Sequence, residues 1–130
     1  MPFLFSKKQT ALYWFLFTTF LLCLPGQSIP GAENDWLARI HADKWVHVFL
    51  FAVLVLLCCR NYPVPTQTKT WVVKPWLVIV VAATLYGMVM EGVQLWFIAG
   101  RGFETTDILA DAAGAVAGYI LAVKWLLRGI

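Results

Sequence analysis

Hydrophobic and polar positions fall in long blocks. Apolar runs occupy residues 10–24, 45–59, 75–99 and 107–127. The first stops at Pro25-Gly26. A mixed stretch (27–44), a polar stretch carrying Pro63 and Pro65 (60–74) and a connector (100–106) separate the others. A helix needs about 20 apolar residues to cross a bilayer, and among open-ended structures only the helix satisfies its own backbone there. The blocks therefore predict an all-α bundle of four transmembrane helices, over about 10–25, 44–60, 75–99 and 107–127, forming one domain over 1–130 with short loops. Pro75 suits the first position of the third helix, where its missing N–H costs nothing.

Composition agrees. Hydrophobic residues make up 61% of the chain and charged ones 13%, about half the charge of a soluble domain. Nine Phe and seven Trp exclude a disordered chain. The first run resembles a secretory signal, with Lys7 and Lys8 ahead of it, but residues 27–32 offer no clean small-x-small cleavage site, so a retained helix is expected. Cys23 falls in the opposite leaflet from Cys58 and Cys59, which excludes a disulfide between them.

Charge sets the orientation. Lys7, Lys8, Arg60, Lys69, Lys74, Lys124 and Arg128 lie on one side; Arg39, Lys44, Arg101 and all seven acids lie on or toward the other. Basic loops stay cytoplasmic, so a multi-pass protein of the cytoplasmic (inner) membrane with both termini inside is expected. The topology accounts for the basic side, and no nucleic-acid partner is implied.

Intramembrane polar groups are costly and therefore informative. Asp43 and His47 share a face of the second helix, with Phe51 continuing it and Lys44 beside them. In the third, Glu91 and Gln94 share a face with Gly87, and Glu91 sits about 12 Å below the end of its run at 1.5 Å per residue. In the fourth, Asp107 and Asp111 lead into Gly114 and Gly118, a stripe that admits a close neighbour and could serve a homo-oligomer. Arg101 stands in the connector. The expectation is one extracytoplasmic-side pocket lined by Asp43, Lys44, His47, Glu91, Gln94, Arg101, Asp107 and Asp111. The bland alternatives are helix-end roles for Asp43 and Asp107, and for Glu91 a bridge to Arg101, Lys44 or His47. One His in the cluster, no His-x-x-x-His or Cys pair with it, and two competing cations argue against a metal, and nothing in the chain marks a cofactor site.

These residues, in this order, resemble the VanZ-like family of small bacterial membrane proteins. The resemblance runs through Ser28-Ile29-Pro30, Asp43-Lys44-x-x-His47-x-x-x-Phe51, Tyr86-Gly87-x-x-x-Glu91-x-x-Gln94, Gly100-Arg101 and Asp107-x-x-x-Asp111-x-x-Gly114-x-x-x-Gly118, over about the last 100 residues. Asp111 stands where the family more commonly has Asn, and Ala99 where it often has Pro. The resemblance implies a cell-envelope role, since the founding member is linked to teicoplanin resistance, but no established reaction. The residues leave several functions open. First is binding of a membrane lipid or lipid-linked cell-wall precursor, with Lys44 and Arg101 on phosphate. Second is a membrane hydrolase or transferase with His47 as general base, oriented by Asp43 or Glu91. A purely structural protein comes third and an ion-coupled transporter last.

Overall fold

The computed structural model describes residues 6–25, 41–62 and 69–128. Ser28-Ile29-Pro30, the segment 27–32 and Arg39 lie outside the described residues. The chain forms four helices in order: α1 (Lys7–Leu22), α2 (Ala42–Asn61), α3 (Lys69–Phe97) and α4 (Thr105–Leu126). Three of them, α2, α4 and the part of α3 from Lys74 to Phe97, are long and apolar enough to cross a membrane. α1 has 16 residues, about 24 Å of helix.

All four helices start ahead of their hydropathy blocks, α3 by the most. α1 opens on a capping box, in which the Gln9 backbone N–H donates to Ser6 Oγ at 3.3 Å and the Ser6 N–H donates to Gln9 Oε1 at 2.9 Å. Helical hydrogen bonding thus begins on polar residues ahead of the apolar run. α3 likewise begins at Lys69, and Pro75 lies inside the helix instead of at its first position. One missing N–H near an end is tolerable where the remaining turns hold.

The tightest packing joins α2 and α4. A Cβ on Gly114 would overlap the Val48 carbonyl oxygen, and one on Gly118 would overlap that of Ala52. These contacts make the two helices parallel in constant register, Val48 opposite Gly114 and Ala52 opposite Gly118. The glycine stripe is therefore filled within the chain. The face that was expected to be open to a second copy at Gly114 and Gly118 is the one against which α2 packs. Phe51, Val55, Trp76 and Ala115 form the fully buried centre, while Phe97 is 80% exposed and Trp96 78%. Apolar rings outside as well as inside suit a lipid solvent.

α1 is attached by polar pegs as well as by apolar packing. Trp14 Nε1 donates to Leu50 O at 2.9 Å, and Gln94 Nε2 to Leu22 O at 2.8 Å. Thr19 gives its hydrogen to Phe15 O at 2.9 Å and so accepts from the Tyr86 hydroxyl at 2.8 Å. Between apolar helices in lipid such bonds replace the hydrophobic drive.

Candidate functional site

The polar groups gather where α2 and α4 begin, against the last turns of α3. His41 adopts left-handed backbone (φ 50°) just ahead of α2, and its carbonyl accepts from Lys44 N at 2.9 Å. That turn places Asp43 and Lys44 in the first turn of the helix and His47 one turn deeper. Glu104, extended, is the N-cap of α4. Asp107, whose bland alternative was a helix-end role, lies in the first turn, where a carboxylate meets the positive end of the helix dipole.

Lys44 is the hub. Its Nζ lies 2.9 Å from Asp43 Oδ2 and 2.5 Å from Glu104 Oε2, and it also pairs with Asp107 Oδ1. His47 and Asp111, at most 4% exposed, form an imidazole–carboxylate pair with Nδ1 2.7 Å from Oδ1. The other ring nitrogen, Nε2, lies 3.8 Å from Asp107 Oδ2. Asp111 Oδ2 has no hydrogen-bond partner among the described residues. It lies where a Cβ on Gly87 would be, so the glycine lets this acid lie against α3.

Glu91, 1% exposed, has a different partner from those expected. Its Oε2 accepts the backbone N–H of Glu104 at 2.9 Å, and no ion pair joins it to Arg101, Lys44 or His47 among the described residues. A carboxyl in mid-helix thus holds the start of the next helix. His47 is likewise oriented by Asp111, correcting the expectation of Asp43 or Glu91.

Of the eight expected residues, Asp43, Lys44, His47, Glu91, Asp107 and Asp111 form one cluster. Gln94 is buried but points to the α1 carboxyl end. Arg101 donates from Nε to Leu24 O at 3.3 Å and makes no ion pair among the described residues. It lines, with Asp43, Val46 and His47, a pocket of about 200 Å³ beside α1. Glu104, absent from the expected set, belongs to the cluster through both its carboxylate and its N–H. A loop acid three residues before Asp107 carried no mark of that role beyond its nearness to a helix start. Asp43, Lys44, Trp45 and Glu104 line a second, larger pocket of about 540 Å³.

The ordered set of Asp, His, Glu and Gly positions that converges here spans three successive helices. The VanZ/LLP1 family model matches residues 1–128. The chain belongs to the VanZ/LLP1 family. That membership extends over α1 as well as the helices whose motifs suggested it, and with three helices of spanning length it points to a membrane protein. No curated protein and no solved structure matches the chain.

Proposed function

We propose that this VanZ/LLP1 protein crosses the bacterial cytoplasmic membrane four times, termini inside, and binds a lipid or lipid-linked cell-wall precursor near the extracytoplasmic face. Through such a ligand it would affect teicoplanin susceptibility, as the founding member's phenotype implies. Seven basic residues on the inner side, against three on the outer, support the orientation. The parallel run of α2 and α4 is what alternate crossings require. At about 24 Å, α1 would cross with local bilayer thinning.

The observation that carries the reading is the state of Arg101. Its Nε is engaged by Leu24 O, but its terminal nitrogens have no hydrogen bond or ion pair among the described residues, and the residue lines a pocket shared with His47 and Asp43. A planar donor fork of this kind matches phosphate. Nearer the start of α1, an apolar cavity of about 380 Å³ lies between α1, α2 and α3, lined by Leu12, Phe15, Leu54 and Tyr86 among others, a fit for an acyl chain.

The test is extraction of lipids from protein purified out of native membrane, wild type beside Arg101→Ala. A phosphate-bearing lipid enriched in the wild type and depleted in the variant is expected; identical profiles end the idea. A second reading, a hydrolase or transferase with His47 as base, draws on the Asp111 pair at Nδ1, which leaves Nε2 free to take a proton. If it holds, His47→Ala retains the lipid and loses product formation.

A further inference from the structure

The cluster has more acid than its own cations offset. Glu91, Asp107 and Asp111 are buried, with Asp43 and Glu104 at their edge. The facing basic groups are Lys44 and His47, with Arg101 turned to α1. Lys44 is shared among Asp43, Glu104 and Oδ1 of Asp107. Buried charge persists only when compensated, so the remaining acid is either protonated or matched by a further positive charge.

The geometry says where that charge belongs. His47 Nε2 and the carboxylates of Glu91 and Asp107 each offer one atom, all within 4.8 Å of one another. Tetrahedral ligands held at about 2.0–2.2 Å from one ion lie about 3.3–3.6 Å apart, so a contraction of a little over 1 Å closes the set. Each donor is already aimed. Asp111 holds Nδ1 at 2.7 Å, the carboxylate–imidazole arrangement that presents Nε2 as a metal ligand. The Glu104 N–H fixes one oxygen of Glu91, and Lys44 fixes one oxygen of Asp107, leaving its Oδ2 toward the imidazole. At 3.8 Å, the Nε2–Oδ2 separation is too long for a hydrogen bond.

We propose that His47, Glu91 and Asp107 bind a divalent metal ion that accepts mixed nitrogen and oxygen ligands, of the Zn²⁺ or Mn²⁺ class, with Asp111 orienting the imidazole. This reverses the expectation of no metal, which rested on one His in the cluster and two competing cations: Lys44 is already divided among three acids, and Arg101 makes no ion pair with the cluster among the described residues. Three protein ligands leave coordination open for water or a phosphate oxygen. The inference goes beyond lipid binding and holds or fails without it.

The experiment titrates Zn²⁺ and Mn²⁺ into full-length, chelator-stripped protein in lipid-free detergent, with bound metal counted by equilibrium dialysis. One ion per chain is expected for the wild type. Glu91→Gln and Asp107→Asn should weaken it at least tenfold with helicity unchanged by circular dichroism, Asp111→Asn by about tenfold, and His41→Gln not at all. Pulsed EPR of the Mn²⁺-loaded wild type should show one imidazole nitrogen bound, a readout that needs no variant to fold. Absence of stoichiometric binding, full affinity in both Glu91→Gln and Asp107→Asn, or no imidazole coupling overturns the proposal.

Discussion

Lys44 joins three carboxylates from two helices, so its removal acts on all of them. Lys44→Ala strands Asp107, 4% exposed, beside Asp43 and Glu104. Removing one partner of a buried pair costs about 3–5 kcal/mol. We expect a loss near the lower bound, because Glu104 and Asp43 reach solvent, read as a fall in thermal midpoint in detergent. Lys44→Ala with Asp107→Asn should lose less than the sum of the single changes. Glu91 separates structure from chemistry. Glu91→Gln keeps an acceptor for the Glu104 N–H and should cost under about 1 kcal/mol, whereas Glu91→Ala orphans that donor and should cost about 1–3 kcal/mol by thermal unfolding. Equal losses would mean that the N–H bond contributes nothing. The i, i+4 spacings of Asp43 with His47 and Asp107 with Asp111 were readable along each helix. Which acid meets the imidazole was not, since that depends on how α2 and α4 slide past one another.

That register belongs to the helices. Gly114 against Val48 and Gly118 against Ala52 align α2 with α4 so that Lys44 meets Asp107 and His47 meets Asp111. The Gly-x-x-x-Gly spacing announced a close neighbour but could not say whether it lay in the same chain. Gly118→Leu should push α2 away, cost about 1–3 kcal/mol or more, and draw His47 apart from Asp111. Gly92 is the control. A Cβ there meets nothing within 4 Å, so Gly92→Ala should be neutral or stabilise by up to about 1 kcal/mol through helix propensity. Thermal midpoints of both variants check the contrast. Hydropathy located all four helices because each carries a long apolar run. It missed the starts of α1 and α3 because hydropathy marks where side chains turn apolar, whereas hydrogen bonding started earlier, at Ser6 and Lys69.

For the whole molecule, parallel α2 and α4 with α1 attached by side-chain bonds to carbonyls imply a firm α2–α4 pair and a more separable first helix. The pegs from Gln94 and Arg101 end on carbonyls at and just past the end of α1, beside the polar pocket. Fusion of a reporter active only outside the cytoplasm should be silent at the C-terminus and active when inserted after Gly102; the reverse pattern would invert the orientation. If, as proposed, the polar cluster and its rim hold a phosphate-bearing ligand and do more than fasten the bundle, native mass spectrometry of protein released from membranes detects it. Wild type should carry a bound phosphate-containing lipid that falls below a tenth of its occupancy in Arg101→Ala and His47→Ala, with helical content preserved. Equal occupancy in folded wild type and variants would contradict the account.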